Sequence, residues 1–382
     1  MDDQYPFISV ITVNYNGKAF LQDFFRSLHA ADYPRERVEL IMVDNGSTDG
    51  SLEYVGEAFP AVRVLQNDVN NYCRANNLGV RVSKGTYVAI LNNDVKVDRG
   101  WLKHLVSAVQ SDPGIGAAGS RILLMDGTPE SMGHEELPDF YWVDQNVSGG
   151  DTPDAVRQVR SLSGCSVLYR KSALEGVGGF DEDFNLYMED VDISLRMHAG
   201  QWKLFCVPQS VVYHVHHGTA GDELSRYYTE RNRLMLIAKH CPERLCEALQ
   251  GKGYFTAQRG LAAQGSVYSI LPDLIVKLTK HHNADIVRAV LERLFVEVKK
   301  IESLENNILT EKIKESLKAV EARNRDITTL KNEIAGRDEA LGKKDEHIRS
   351  LDGGIVKRDA ALNEKEAYLD NLINANSEQL SL

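Results

Sequence analysis

A chain of 382 residues with 43% hydrophobic and 26% charged residues is long enough for two or three domains and has the composition of an ordinary globular protein. The formal net charge of −11 argues against a general nucleic-acid binder, because binding to phosphates depends on Lys and Arg. The 5 cysteines form no CxxC pair, the N-terminal MDDQYPFISV has no basic flank or long apolar stretch, and no apolar run approaches the roughly 18 residues that span a bilayer, so we expect a cytoplasmic protein with reduced thiols.

The first region, residues 1 to about 222, alternates short apolar runs with amphipathic stretches. The run FISVITVNY is rich in β-branched residues and predicts a strand, and the next stretch, AFLQDFFRSLHA, has its large apolar residues on one helical face. Further strands are predicted at VELIMVDNG, VRVLQN and YVAILNND. Strands that alternate with helices indicate an α/β fold with a parallel sheet and right-handed crossovers.

The second strand ends in a carboxylate. In IMVDNGSTDGS, Asp44 precedes small polar residues that allow a tight turn, and a carboxylate there can accept hydrogen bonds from a base or a ribose. The GxGxxG loop of dinucleotide-binding folds is absent, so another group must neutralise the phosphates of such a ligand. Farther along, Asn76 and Asn77 offer amide groups just ahead of a predicted helix, where either could also be a structural cap.

The fourth strand also ends in polar residues. Residues 89–97 read AILNNDVKV, so a buried apolar run is followed directly by Asn92, Asn93 and Asp94. These residue types bond their own backbone and are common in turns, so a plain strand exit is one interpretation. The other is a cation site that neutralises phosphates, because ligands of open α/β sheets bind beyond the carboxyl ends of the strands and a carboxylate there can hold a hard cation.

Three carboxylates, Glu189, Asp190 and Asp192, crowd the predicted start of a helix. Acidic residues in a first turn are favoured by the helix dipole, by about 0.3–1 kcal/mol each, so a structural role is one interpretation. Like charges this close also raise the pKa of at least one carboxyl, which suits a general base.

Histidines follow the strand-like run VPQSVVYH. His214 and His216 are two residues apart and lie on the same face of a strand, so a zinc site is conceivable. No cysteine accompanies them, which disfavours zinc, and the alternative is a single neutral histidine that binds another metal.

Residues 223 to about 300 are predicted to be helical. The stretch LSRYYTERNRLMLIAKH forms one helix, which Pro242 stops. In SILPDLIVKLTKHH, apolar residues lie beside Lys277 and Lys280. An apolar side and a basic side fit either a helix packed on the first domain or a helix that lies on an anionic membrane surface.

Residues 301–382 have an apolar residue at every seventh position from Ile313 to Leu369, which predicts a coiled coil with a left-handed supercoil. The position three residues later is Leu in some heptads and Ser, Arg or Lys in the others, so the predicted association is weak. Gly353 and Gly354 each cost about 1 kcal/mol relative to Ala and predict a break. A single solvated helix or a linker is the alternative.

The first 220 or so residues resemble glycosyltransferase family 2, the inverting enzymes with the GT-A fold. The resemblance rests on motifs in the same order: VITVNYNG, VDNGSTDGS, ANNLGVRVSKGTYVAILNNDVKV, GWLKHLV, GCSVLYRKSALEGVGGFDEDF, MEDVDISLR and HVHHGT, with YYTERNRL just after them. Each motif alone is weak, but together they are specific. Within the family the chain is most similar to bacterial rhamnosyltransferases and related polysaccharide enzymes.

The resemblance implies a role for each of several residues. Asp94 matches the metal-binding carboxylate of the family's DxD motif, and His214 matches its metal-binding histidine. Asp190 matches the catalytic base, with Asp192 as the second choice. The implied nucleotide-sugar-binding set is Thr12, Val13 and Asn14 on the first strand, Asp44 at the uracil or thymine base or its ribose, and Asn76, Asn93 and Asp94.

Two positions depart from the family pattern. Asn92 replaces the first carboxylate of the DxD motif and leaves fewer charged ligands, so Mn²⁺ or Mg²⁺ with several bound waters fits better than a tight protein cage. Asn71 stands where relatives usually have glycine, and Asn tolerates the left-handed backbone that a glycine turn would need.

Three regions are therefore predicted: a GT-A glycosyltransferase domain at 1–222, a helical region at 223–300 that packs on it or on a membrane surface, and a coiled coil at 301–382. The implied function is metal-dependent transfer of a sugar from a UDP- or dTDP-linked donor, dTDP-rhamnose among them, to a hydroxyl of a growing bacterial surface glycan such as an O-antigen, free or lipid-linked. We expect a homo-oligomer formed through the coiled coil, with peripheral contact at the inner face of the cytoplasmic membrane.

Two other functions were weighed. A catalytically degenerate GT-A scaffold, carried by its coiled coil, is the alternative from another class. A sugar nucleotidyltransferase is disfavoured because no glycine-rich, basic phosphate loop lies near the first strand.

Overall fold

A computed structural model describes residues 5–145, 155–215, 222–250, 271–299 and 313–319, and single positions at 322, 325, 329, 337, 344 and 358. The chain divides into two compact units, Met1–Lys300 and Ile301–Leu382, which are described separately. In the second unit residues 313–319 are helical. Most of the heptad repeat, including Gly353 and Gly354, lies outside the described residues, so the coiled coil stays a prediction.

The first strands and helices alternate along the chain, as the sequence predicts. They are β1 Ile8–Asn14, α1 Lys18–Ala30, β2 Val38–Asp44, α2 Ser51–Ala58, β3 Arg63–Gln66, α3 Tyr72–Val82 and β4 Tyr87–Leu91. Parallel pairing joins β1 to β2, β1 to β4 and β2 to β3. The polar residues that follow β1, β2 and β4 therefore meet at one edge of the sheet.

The later strands widen the sheet. The elements are β5 Val95–Val97, α4 Trp101–Gln110, β6 Ile115–Leu124, β7 Pro129–Ser131, β8 His134–Leu137, β9 Tyr141–Asp144, β10 Arg157–Gln158, β11 Ser166–Arg170, α5 Lys171–Gly176, α6 Glu189–Ala199 and β12 Lys203–His214. The strand order is β10-β12-β6-β11-β4-β1-β2-β3, with β5 on β12 and β7 on β6, and β8 and β9 form a separate hairpin. β11 runs antiparallel between β4 and β6, so the sheet is mixed.

The first strand lies entirely within the core. Every residue of β1 is buried, and Leu21, Phe24 and Phe25 of α1 share one core cluster with Ile8 and Val10. Strands of a parallel sheet are buried on both faces because helices cover them. Each large apolar side chain stabilises the fold by about 1.5–3 kcal/mol on burial, so the polar strand ends sit on a rigid base.

Helices follow the sheet in the first unit: α7 Asp222–His240, α8 Leu245–Gln250, α9 Leu271–His281 and α10 Ala284–Lys299. Lys277 of α9 has a side chain only 1% exposed, and its Nζ lies 2.6 Å from Asp181 Oδ2 and 2.7 Å from Asp183 Oδ2. This lysine points into the protein, so the contacts favour packing on the first region over a membrane-surface helix. No helix within the described ranges is both long and apolar enough to span a membrane.

Candidate active site

Hydrogen bonds join the polar strand ends. Asn14, the last residue of β1, donates from Nδ2 to Asp44 Oδ1 at 3.1 Å and to Ser47 Oγ at 2.9 Å. Its Oδ1 accepts a hydrogen bond from Asn93 Nδ2 at 2.8 Å. Asn14, Asp44, Ser47 and Asn93 thus form one connected surface, the polar floor, across the ends of β1, β2 and β4.

Gly17 lies directly against the polar floor. A Cβ atom at this position would be 2.3 Å from Asn93 Nδ2 and 2.7 Å from Asn14 Oδ1. Both distances are shorter than any real contact, so glycine is needed here for the hydrogen bond between Asn14 and Asn93 to form.

Asp44 is enclosed within the floor. The residue is 1% exposed, and its Oδ2 accepts hydrogen bonds from the backbone N–H groups of Gly46 and Ser47 at 3.1 and 2.9 Å. This carboxylate therefore builds the turn after β2, and its predicted contact with a base or ribose stays a prediction. Thr12 and Val13 are also buried, and Thr12 Oγ1 has no hydrogen-bond partner within the described part of the chain.

α3 begins earlier than expected. Its N-cap is Asn71, whose Oδ1 accepts a hydrogen bond from Arg74 N at 2.9 Å. The φ of Asn71 is −141°, so the left-handed backbone considered for this position is wrong. Asn76 and Asn77 lie inside the helix and are not caps. Asn76 is fully buried, donates to the Tyr72 carbonyl at 3.1 Å and has an Oδ1 without a partner among the described residues, so contact with a nucleotide-sugar would require its surroundings to move.

Asp94 and His214 meet where two strands join. β5 pairs antiparallel with β12 in a register that puts Val95 opposite His214. His214 Nε2 lies 3.4 Å from Asp94 Oδ2, and its Nδ1 lies 3.0 Å from Glu130 Oε2. Burial by itself lowers the pKa of His214, but hydrogen bonds and negative charge from Asp94 and Glu130 outweigh it and raise that pKa to about 9.

This arrangement fits a divalent cation. The two carboxylates that stabilise a positive charge on His214 would also stabilise a metal ion, and Mn²⁺ and Mg²⁺ bind carboxylate oxygens. No group of three or more His, Cys, Asp or Glu side chains within the described ranges is arranged to hold a metal. Asp94 and His214 stay the predicted protein ligands of a metal ion. His216, the second histidine of the zinc interpretation, lies outside the described residues.

Asp190 lies in the first turn of α6, and backbone groups fix its carboxylate. Oδ2 accepts a hydrogen bond from Gly164 N at 2.9 Å, and Oδ1 accepts one from Val191 N at 2.8 Å. The next residue after Gly164, Cys165, accepts a hydrogen bond from Asn92 N at 3.0 Å. The segment before β11 therefore ties Asp190 to the exit of β4, close to Asp94.

The two neighbouring carboxyls differ from Asp190. Burial, followed by the charge of Asp190, raises the pKa of Glu189 well above its ordinary value. Asp192 is fully buried and its oxygens lie 2.7–2.8 Å from the side-chain nitrogens of three basic residues, Arg196, Lys239 and His240. Asp192 therefore joins α6 to α7, and its geometry does not suit the base that the sequence left open for it.

The turn before Asp190 has an unusual backbone. Asn185, Tyr187 and Met188 have φ values of 63°, 67° and 66°, in a region that residues other than glycine rarely adopt. Asn232 of α7 is fully buried and donates from Nδ2 to three carbonyl oxygens of this turn, those of Phe184, Leu186 and Tyr187, at 2.8, 2.8 and 2.7 Å. The helical region thus holds the turn that leads to Asp190.

No catalytic or binding residue was predicted in the segment of β7, β8 and β9, which lies beside the site. Glu130 on β7 contacts His214, and His134 on β8 and Asp144 on β9 lie near Asp190. These strands contain 3 or 4 residues, too few for a periodic pattern. The one available signal was the run MGHEEL, in which a histidine and acidic residues follow a glycine.

Similarity to known proteins agrees with this geometry. The family model described as Glycosyl transferase family 2 matches residues 9–178. The chain is 31% identical over 246 residues to the N-acetylglucosaminyl-diphospho-decaprenol L-rhamnosyltransferase of Mycobacterium tuberculosis. The aligned region covers 57% of this chain and 79% of that protein. It is 29% identical over 230 residues to the O-antigen biosynthesis protein RfbC of Myxococcus xanthus. This second alignment covers 56% of this chain and 18% of RfbC.

Among solved structures, GalNAc-T7, crystallised with UDP, GalNAc and Mn²⁺, has a similar fold. The TM-score is 0.54 at 17% identity, and the match covers 73% of this chain and 58% of that one. At this identity the likeness concerns the fold alone, and the predicted GT-A class is confirmed.

Proposed function

Because this chain belongs to glycosyltransferase family 2, we propose that it transfers a sugar, with inversion, from a UDP- or dTDP-linked donor to a hydroxyl of a growing bacterial surface glycan. The chain is a glycosyltransferase, which removes the support for a scaffold without catalysis. The observation that supports the proposal most is the short connection between Asp190 and the exit of β4. Gly164 donates to Asp190, and Cys165 accepts from Asn92, so a base and a metal-binding carboxylate would share one cleft.

In the proposed reaction, Asp190 takes the proton from the acceptor hydroxyl. The hydroxyl oxygen forms a bond to C1 of the donor sugar while the bond from C1 to the diphosphate breaks, and a single displacement inverts C1. The raised pKa of Glu189 favours its uncharged form, which would reduce repulsion beside the proposed base. Thr12, Val13, Asn14, Asp44, Asn76 and Asn93 are the proposed nucleotide-sugar-binding residues.

Asp94 and His214 would hold a Mn²⁺ or Mg²⁺ ion, which offsets the negative charge of the diphosphate leaving group when it is bound. Glu130 would keep the His214 ring in place, since the ring nitrogen that a metal does not use is normally held by a carboxylate or carbonyl.

The relative from Mycobacterium tuberculosis supports a choice of donor and acceptor. Its name specifies L-rhamnosyl transfer and an N-acetylglucosaminyl-diphospho-decaprenol substrate. We therefore propose dTDP-rhamnose as the donor and a lipid-diphosphate-linked sugar as the acceptor. Such an acceptor would place the enzyme in the cytoplasm, in peripheral contact with the inner face of the membrane.

A donor screen tests this function. UDP- and dTDP-sugars are incubated with the full chain, Mn²⁺ or Mg²⁺, and an N-acetylglucosaminyl-diphospho-lipid analogue, and release of nucleoside diphosphate is measured. We expect metal-dependent release with dTDP-rhamnose and loss of transfer in Asp190→Asn. Absence of release with every donor and either metal, together with no nucleotide binding by calorimetry, would contradict the proposal.

We further propose that the heptad repeat of residues 301–382 makes the protein a homo-oligomer. An apolar stripe along a helix is shielded from water by a partner helix. Light scattering should give a multiple of the 42.7 kDa chain mass for the full protein and a monomer for a chain that ends at residue 300. Monomers in both cases at tens of micromolar would contradict self-association.

A further inference from the structure

His134 has a ring that is anchored on one side. Its backbone N–H donates to the Ser161 carbonyl at 2.9 Å, and its Nδ1 lies 3.0 Å from Ser161 Oγ. Ser161 is fully buried, so both contacts are shielded from water. Together they set the direction in which the other ring nitrogen, Nε2, points.

That nitrogen faces two carboxylates from different elements. Nε2 lies 3.6 Å from Asp144 Oδ1 and 3.8 Å from Asp190 Oδ2. The register of β8 and β9 puts His134 opposite Asp144, so the hairpin itself builds the first contact. One ring nitrogen of His134 is therefore near two carboxylates, one from β9 and one from α6.

Strand pairing within the hairpin explains the contact of His134 with Asp144 but not its contact with Asp190. Asp190 belongs to α6, and the backbone N–H groups of Gly164 and Val191 already hold it. The His134 ring thus places a nitrogen from a third element 3.8 Å from the carboxylate of the proposed base. Contacts of this kind in ligand-free structures are often long and shorten when substrate binds.

We propose that His134 is a positioning residue for Asp190: Ser161 holds its Nδ1, and its Nε2–H directs Asp190 Oδ2 toward the acceptor hydroxyl and keeps that carboxylate ready to receive a proton. The inference rests on the proposed function, since it assigns a partner to the proposed base. The proton moves from the acceptor oxygen to Asp190 and the C1–phosphate electron pair leaves with the diphosphate. His134 keeps its own proton throughout, so the ring is neither acid nor base.

The charged surroundings of this ring are acidic. Asp144 faces it from β9, Asp190 faces it from α6, and Glu189 lies next to Asp190. Burial raises the pKa of Asp144, His134 lowers it, and Asp190 and Glu130 raise it further. Removing the ring would leave Asp144 and Asp190 without the side chain whose Nε2 lies near both carboxylates.

Kinetics on the full chain test the inference. With dTDP-rhamnose, Mn²⁺ and the N-acetylglucosaminyl-diphospho-lipid analogue, His134→Ala should lower kcat by about 10- to 100-fold, leave the KM for the donor unchanged and move the acid limb of the kcat profile to higher pH. His134→Gln should recover most of kcat, because its amide can donate from nearly the same point as Nε2. His104→Ala, an exposed histidine on α4, is the matched control and should match the parent protein.

A second measurement needs no turnover. ¹⁵N spectra of the histidine rings should show that Asp190→Asn changes the protonation and hydrogen bonding of His134, while His104 is unchanged. If the His134 signal is the same in the parent protein and in Asp190→Asn, the inference is overturned. This outcome can be read even if the donor screen finds no activity or His134→Ala does not fold. An active His134→Ala with the parent pH profile, beside an inactive Asp190→Asn, also overturns it and leaves the proposed function standing. Full activity of Asp190→Asn instead removes the base itself.

Discussion

Gly17 shapes the site through the side chain it lacks. Its φ of −102° suits any residue, so Gly17→Ala tests the close approach to Asn14 and Asn93 without backbone strain. We expect the added methyl to push the Asn93 amide away and to weaken UDP or dTDP binding by about 10-fold, the value of one hydrogen bond. Calorimetry measures this affinity.

Gly56→Ala is the control for that substitution. Gly56 lies in α2 with nothing within 4 Å of an added Cβ. Alanine there should stabilise the helix by about 1 kcal/mol and leave nucleotide affinity unchanged. Equal nucleotide affinity in the parent protein and Gly17→Ala would show that the polar floor does not bind the nucleotide.

Substitutions of Asp94 and Asp190 should affect different quantities, donor binding in the first case and kcat in the second. Asp94→Asn is expected to abolish Mn²⁺-dependent donor binding with the fold intact, because it removes the charged ligand at the strand exit. Asp190→Asn is expected to keep donor affinity and lower kcat by about 10²–10⁴-fold, since a base acts in the transition state. Calorimetry and initial rates are the measurements. Full activity of Asp94→Asn at limiting Mn²⁺, or a matching loss of donor affinity in Asp190→Asn, would contradict these roles.

Among the elements, α7 matters because it fixes the turn before Asp190. Residues in sparsely populated backbone regions cost about 1–3 kcal/mol each and persist only when their surroundings hold them. Asn232→Ala removes the amide that bonds three carbonyls of this turn, so we expect kcat to fall by at least about 10-fold while donor affinity stays the same. The readouts are kcat and donor affinity by calorimetry.

Asn283→Ala provides a control in which a different asparagine amide is removed. Asn283 precedes α10, and its Oδ1 accepts a hydrogen bond from Ile286 N at 3.1 Å. Loss of such a cap costs about 1 kcal/mol of stability but should leave kcat unchanged. If both variants lose stability equally and both keep the parent kcat, the turn is not tuned for catalysis.

Local patterns predicted some elements well and others poorly. β1 and β4 were predictable because β-branched, apolar runs repeat between amphipathic stretches. The pairing of Glu130 with His214 was not, because it depends on the three-residue strand β7 folding back onto β6. Asn71 is of a residue type that commonly caps helices, and it caps α3. The glycine of relatives at this position had suggested a left-handed turn instead.

The roles of Asp44, Asp192 and Asn232 were out of reach for a related reason. The sequence pattern of an acidic residue at the end of a strand is the same whether the residue binds a ligand or accepts hydrogen bonds from its own turn. Asp44 does the latter. Arg196 lies one helical turn from Asp192, but the α7 partners of Asp192 lie 47 and 48 residues away, and the partners of Asn232 lie 45–48 residues away. No periodic signal links positions so far apart.

At the scale of the whole first unit, Asp181 ties the sheet region to two helices. Its Oδ2 lies 2.7 Å from Lys239 Nζ of α7 and 2.6 Å from Lys277 Nζ of α9. Burial raises the pKa of Asp181, but the two lysines outweigh it and lower that pKa to about 2. His281 differs: burial and neighbouring lysines lower its pKa from 6.5 to about 4.

Both shifts predict loss of stability in acid. Asp181 stabilises the fold above its unfolded pKa of about 4, and this contribution, roughly 2 kcal/mol, is lost as pH falls toward 2. Between pH 6.5 and about 4, unfolding takes up a proton at His281, so stability also falls with pH there. Urea unfolding at a series of pH values measures the free energy of unfolding.

Lys277→Met should flatten this dependence, because it removes one cation that lowers both pKa values. Lys280→Met is the control: its Nζ lies 3.3 Å from Asp183 and its side chain is 55% exposed, so its removal should change the profile little. Identical pH profiles for the parent protein and Lys277→Met would show that the ionic contact does not stabilise the fold.

The contacts of Lys239 and Lys277 also limit how this enzyme can be recombined. The sequence pattern changes at residue 222 and suggests a domain boundary there. A chain truncated at residue 222 would leave Asp181 and Asp192 without their lysine partners. It would also leave the strained turn before Asp190 without Asn232. Net negative charge would then build up around the base. A chimera that borrows this catalytic domain must therefore carry the sequence through α10, because the exchangeable module is the full first unit.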